Sequence, residues 1–140
     1  MASHAYSEIY LHITWHTQDN ARVITDLIRE PLYQYIHSRA TETTAVEIHS
    51  IGGIEDHVHL AVRAPSTLLV SEWIGELKGA SSHEMNKRLR RSLLHWQEGY
   101  GVVSFGKQTL KDVVSYIQNQ REHHARGTIY PALERIWVKD

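Results

Sequence analysis

The sequence predicts an α+β fold, an antiparallel sheet with helices packed on one face. Three observations carry that prediction. Residues Tyr6 to Thr17 alternate, with Ile9, Leu11, Ile13 and Trp15 on one side and Tyr10, His12, Thr14 and His16 on the other. Period two is that of a strand with one buried face. Two further β-type runs, Val46–Ile51 and His57–Arg63, lie close together with a Gly52-Gly53 pair between them, which reads as a hairpin. The remaining long segments place apolar residues three and four apart, the helical period.

Each element follows in order. Tyr6–Thr17 is the first strand. Asp26 to about Thr43 carries Leu27, Ile28, Tyr35 and Ile36 at helical spacings, and Pro31 in its early part leaves the exact start open. Val46–Ile51 is a strand, Gly52-Gly53 its turn and His57–Arg63 its partner. Pro65-Ser66-Thr67 opens a helix with Leu69, Trp73, Ile74 and Leu77 on one face, running to about Arg91 with Gly79 as a point of interruption. Tyr100–Phe105 is a short strand, and Leu110 to about Arg126 is the last helix. The first six elements match the split β-α-β-β-α-β pattern of ferredoxin-like folds. In that arrangement Val58, Leu60 and Val62 face the two helices. His57 and His59 then face the open side of the sheet, outward, with His12, Thr14 and His16. The last helix exceeds the pattern, and the open face is available to it.

Length and composition bound the function. The 140 residues suit one domain, residues 1–140, with a real core. Hydrophobic residues at 41% and charged residues at 22% fit an ordinary soluble globule. No apolar run approaches membrane-spanning length, and Met1-Ala2-Ser3-His4 leads into no apolar signal segment. A cytoplasmic protein is expected. With no cysteine, disulfides and thiolate metal sites are excluded. Lys+Arg 15 against Asp+Glu 16 gives a net charge of −1, less basic than nucleic-acid binders often are. Lys87, Arg88, Arg90 and Arg91 nevertheless cluster within one short stretch.

The chemistry lies in two places. His57 and His59 alternate with Val58 on a strand, so both imidazoles point the same way from Cα atoms about 7 Å apart. Both can reach one divalent ion. Alone, the pair reads more readily as two exposed strand histidines than as a metal site. Tyr116 and Gln120 are one helical turn apart, with His123 and His124 a turn further on. Alone, these read as a half-buried aromatic and a solvated amide.

Together they resemble the HUH single-tyrosine transposases of the insertion-sequence 200/605 type. Trp15-His16-Thr17 is similar to that family's first-strand motif, and Asp56-His57-Val58-His59-Leu60 to its D-H-V-H-L. Leu77-Lys78-Gly79 with Ser81-Ser82 resembles its long-helix motif. Trp96-Gln97-Glu98-Gly99-Tyr100 resembles the segment before its last strand. Tyr116-Ile117-Gln118-Asn119-Gln120, then Glu122-His123-His124, resembles its tyrosine helix. The likeness runs in order from about residue 8 to residue 126. Glu55 stands where family members often have proline.

The resemblance implies a fold, a reaction and a set of roles. The fold is a ferredoxin-like βαββαβ sheet with an additional C-terminal helix carrying the tyrosine. The reaction is metal-dependent cleavage and rejoining of single-stranded DNA through a 5′-phosphotyrosine, with Tyr116 as nucleophile. His57, His59 and Gln120 would bind Mg²⁺ or Mn²⁺. The partners implied are hairpin-containing single-stranded DNA and a second copy of the chain, a homodimer in which one tyrosine helix can complete the other subunit's site. Lys78, Lys87, Arg88, Arg90 and Arg91 are candidate DNA contacts. The family is prokaryotic and cytoplasmic. Alternative readings are a domesticated nuclease of the same chemistry acting on chromosomal repeats, a non-catalytic ferredoxin-like nucleic-acid-binding module, and a metal-binding protein without DNA.

Overall fold

The computed structural model describes residues 5–42 and 44–139. The expectations placed on Met1–His4 and on Thr43 therefore lie outside the described residues. The elements run β1 (Ile9–His16), α1 (Asp26–Glu42), β2 (Glu47–Ile54), β3 (His57–Ala64), α2 (Val70–Leu89), β4 (Gly101–Phe105), α3 (Leu110–Gln118), α4 (Gln120–Arg126) and α5 (Pro131–Glu134). The strands form one antiparallel sheet in the order β2-β3-β1-β4. The expected α+β, ferredoxin-like arrangement with added C-terminal helices is present.

The alternation decides what lies on each face. Leu11, Ile13 and Trp15 of β1 and Val58, Leu60 and Val62 of β3 join Ile28, Leu32 and Ile36 of α1 and Trp73, Ile74 and Leu77 of α2 in the main core. The other face carries Ala61 of β3, which packs with Val113, Tyr116 and Ile117 of α3 and Leu133 of α5. The C-terminal helices therefore cover the face that the basic fold leaves open. That cover overturns the expectation of outward histidines: His57 and His59 are 1% and 0% exposed. Their phase on the strand is as expected, but a second helical layer lies over them.

Several boundaries differ for physical reasons. Gly52 and Gly53 are not the hairpin turn. They pair with His59 and Val58 inside the ladder, and the turn falls at Glu55-Asp56. Glycine is needed at 52 because a Cβ there would lie 2.3 Å from the carbonyl oxygen of Ile117, so α3 sits directly on the strand backbone. Helix α2 begins at Val70, after a turn in which Leu68 N–H reaches the Pro65 carbonyl. It passes through Gly79 unbroken and stops at Leu89, where Arg90 takes a left-handed cap (φ 52°). The anticipated last helix is broken at Asn119 (φ −110°, ψ 29°) into α3 and α4.

The chain then turns back along the sheet. Gly127 ends α4 in the left-handed conformation, and Pro131 starts α5, a position where its missing N–H costs nothing. Past α5, Trp137 N–H bonds the Tyr100 carbonyl at 3.1 Å. A Cβ at Gly101 would lie 1.9 Å from the Arg135 carbonyl, so the glycine admits this return strand of chain. Among the described residues, no helix is long and apolar enough to cross a membrane.

Candidate active site

The covered face of β3 and the helices above it build a compact polar centre. His57 and His59 enter from β3, Gln120 and His124 from α4, Tyr116 from α3 and Glu134 from α5. Gln120 Oε1 lies 3.3 Å from His57 Nε2 and 3.1 Å from His124 Nε2. Glu134 Oε1 lies 3.4 Å from His57 Nε2 and 3.5 Å from His124 Nε2, and Oε2 lies 3.3 Å from His59 Nε2. The Tyr116 hydroxyl donates a short hydrogen bond to Glu134 and accepts one from Tyr130 N–H at 3.1 Å. The Tyr116 ring stacks on Tyr130, centroids 4.3 Å apart.

The outer nitrogens of both β3 imidazoles are tied down. His57 Nδ1 pairs with Asp56 at 2.6 Å, and His59 Nδ1 with His12 Nε2 at 2.8 Å. Fixing the far nitrogen aims the near one, as ligand histidines require. His16 stacks on His57, centroids 4.7 Å apart, and bonds Asn20. Glu55 takes no part here; it pairs with Arg22 and Arg121.

The electrostatics divide the histidines. Burial holds His12 down at about 3, aided by His59, and holds His59 down at about 4 against the pull of Glu134. Burial would lower His57 too, but Asp56 and Glu134 outweigh it and lift that imidazole to about 9. For Glu134, burial is outweighed by His57 and His59, which hold the carboxyl far below its ordinary range. Burial and Glu134 push the Tyr116 hydroxyl up to about 12.

These residues fit a divalent ion. His57, His59, His124 and Glu134 offer donor atoms all within 4.8 Å of one another. His59 Nε2 is buried with no well-formed hydrogen bond, the Glu134 oxygen at 3.3 Å being its near neighbour, an arrangement that costs free energy unless something satisfies that nitrogen. Imidazole with carboxylate and amide oxygen suits Mn²⁺ and accepts harder ions.

The anticipated nucleophile and ligands, Tyr116, His57, His59 and Gln120, are thus brought together within one chain. The candidate DNA contacts lie elsewhere. Lys78 is half-buried and bonds the carbonyls of Gln97 and Gly99 at 2.9 and 2.8 Å. Lys87, Arg88, Arg90 and Arg91 are exposed at the end of α2, and Arg88 pairs with Glu84. That end lies beside the segment bonded to the close of β1, where Gln97 N–H reaches the His16 carbonyl. Sequence reasoning missed His12 as the partner of His59, and Glu134 altogether. Pro131 is a helix-start signal, but nothing local shows what Glu134 faces.

The family model described as "Transposase IS200 like" matches residues 5–120. The transposase for insertion sequence element IS200 of Salmonella typhimurium is 36% identical over 78 residues, 51% of each chain. That match spans about half the length of that relative. Among solved structures, a Deinococcus radiodurans R1 protein assigned as a transposase superposes with TM-score 0.68 at 22% identity, over 86% of this chain and 96% of that one. A REP-associated tyrosine transposase bound to a REP hairpin superposes with TM-score 0.60 at 15% identity, over 100% and 93%. Those two likenesses carry the fold. With the family pattern matched across β1 to the start of α4, the chain belongs to the IS200-like transposases.

Proposed function

We propose that this chain is a metal-dependent DNA transposase that cleaves and rejoins single-stranded DNA through a 5′-phosphotyrosine. One observation carries the reading: the Tyr116 hydroxyl, the two β3 imidazoles and the Gln120 amide converge on one buried point. An ion held by His57, His59 and Gln120 would supply charge stabilisation to the scissile phosphate. Mg²⁺ and Mn²⁺ both suit that donor set.

The protein's own groups do the rest. The Tyr116 hydroxyl passes its proton to the Glu134 carboxylate that it already faces, its oxygen attacks phosphorus, the bond from phosphorus to the 3′-oxygen breaks, and the 3′-oxygen leaves as a hydroxyl by taking up a proton. A DNA 3′-hydroxyl attacking the phosphotyrosine reverses these steps and reseals the strand. Asp56 and His12 hold the β3 imidazoles in orientation. Glu134 and Tyr130 hold the hydroxyl in place. The substrate in this reading is hairpin-containing single-stranded DNA; the solved relative bound to a REP hairpin supports a folded-strand ligand. A homodimer belongs to the same proposal, with Tyr116 and Gln120 serving the histidines of their own chain. Lys87, Arg88, Arg90 and Arg91 would meet phosphates outside the centre.

The test is incubation of the protein with labelled single-stranded DNA from the flanks of its own gene, with Mg²⁺ or Mn²⁺, run on a denaturing gel. A protein–DNA adduct that Tyr116→Phe abolishes while DNA binding survives is expected. DNA bound without any adduct would instead favour a non-catalytic binding module.

A further inference from the structure

We infer that Glu134 and His124 are ligands of the metal ion, so that the C-terminal segment of the chain completes its own metal centre. The inference rests on the reading above, that an ion sits at His57 and His59. The family match ends at Gln120, and Glu134 lies beyond both that match and the tyrosine-helix motif, which itself reaches His124.

Distances favour ligation over simple ion pairing. The Glu134 oxygens are 3.3 to 3.5 Å from three imidazole nitrogens, longer than the usual N–H···O range of about 2.7–3.2 Å. Donor atoms sharing one cation at bond lengths of about 2.0–2.2 Å are separated by about 2.8 to 3.1 Å along the edges of an octahedron and by about 3.3 to 3.6 Å along those of a tetrahedron. Three separate contacts from one carboxylate fall in the tetrahedral range. The aim of the side chains agrees. His57 and His59 both turn Nε2 toward Glu134, because Asp56 and His12 hold their other nitrogens. His124 presents Nε2 to the same carboxylate and to Gln120.

The two carboxylate oxygens divide the work. Oε1 faces His57 and His124, while Oε2 faces His59 and receives the Tyr116 hydroxyl. One short side chain thereby links the nucleophile to the ion and fixes their separation. It also couples metal binding to the segment after Gly127, which leans on the sheet through Leu133 and Trp137. A ligand from that segment makes the ion a clasp for it.

The experiment is Mn²⁺ titration of the full chain by calorimetry, with trypsin sensitivity after Arg126 followed with and without Mn²⁺. Glu134→Gln is expected to weaken Mn²⁺ at least tenfold and to remove the protection that Mn²⁺ gives the C-terminal segment in the wild type. His124→Ala, on a partly exposed helix face, should weaken it severalfold, and it carries the comparison if Glu134→Gln fails to fold. Mn²⁺ affinity and protection unchanged in these variants, yet lost in His59→Ala, would overturn this inference and leave the catalytic reading standing. A wild-type chain that binds neither Mn²⁺ nor Mg²⁺ would overturn both.

Discussion

Tyr116 is 1% exposed, packed between His123 and Tyr130, with its proton held by Glu134. Replacing it by Phe removes one oxygen from a buried network. Tyr130 N–H and Glu134 each lose a partner, a cost of about 1–3 kcal/mol. Tyr116→Phe should therefore melt a few degrees lower yet fold fully, as circular dichroism would show. The β3 histidines behave differently. Outward-facing imidazoles would be removable at little cost, but His59 is fully buried and bonded to His12. His59→Ala should both abolish metal binding and cost about 2–4 kcal/mol through a cavity and an unpaired His12. Equal melting of this variant and the wild type would place the side chain outside the core.

The same residues set a pH dependence for the metal-free protein. His57 is raised to about 9 from an ordinary 6.5, so its charged form stabilises the fold. That contribution is complete below about 6.5 and fades as pH rises through about 9. His12 and His59 are depressed to about 3 and 4. Each resists protonation when folded, so stability is lost as pH falls from about 6.5 toward those values. Thermal melting of the metal-free chain should peak between these limits. A melting temperature flat from pH 5 to pH 10 would show that the histidines do not titrate with folding.

At the level of elements, periodicity was a dependable guide and glycine was not. The alternation in β1 and β3 placed the core residues and the histidines on opposite faces. Gly52-Gly53 looked like a turn, because local chemistry cannot distinguish a glycine that bends the chain from one that admits a neighbour. Here the neighbour is the Ile117 carbonyl, 65 residues away in sequence. Gly79 shows the converse: it looked like an interruption, yet α2 passes through it because Trp73, Ile74, Leu77 and Met85 are buried on both sides of it. A direct test is Gly52→Ala. Its Cβ would overlap the α3 backbone, which cannot move without carrying Tyr116. The variant should lose about 1–3 kcal/mol and most of its DNA adduct. Wild-type stability and adduct yield would show that α3 does not rest on β2.

For the molecule as a whole, the order of elements could be read in the chain, and so could four residues that meet in the candidate site: His57, His59, Tyr116 and Gln120. What escaped was the part made by long-range return. Pro131–Glu134 joins the centre only because Gly127 reverses the chain and Gly101 lets residues 135–137 lie on β4. Neither step has a periodic signature. The net charge of −1 gives the chain no broad positive surface, so the proposed DNA contact would rest on local basic groups and the proposed ion. Binding of an ion at this centre should stabilise the whole fold by mass action. About 2.7 kcal/mol is expected at a hundredfold excess over Kd, seen as a higher melting temperature with Mn²⁺ that disappears in His57→Ala.

The proposed reaction puts the DNA on Tyr116. Trypsin cuts after Lys111 and Arg121, and the resulting peptide, Asp112 to Arg121, has Tyr116 as its one tyrosine. Mass spectrometry of the digested adduct formed with Mn²⁺ measures the claim directly. A nucleotide mass on that peptide is expected, present with Mn²⁺ and absent with chelator. A nucleotide mass on any other peptide, or an adduct indifferent to chelator, would contradict it.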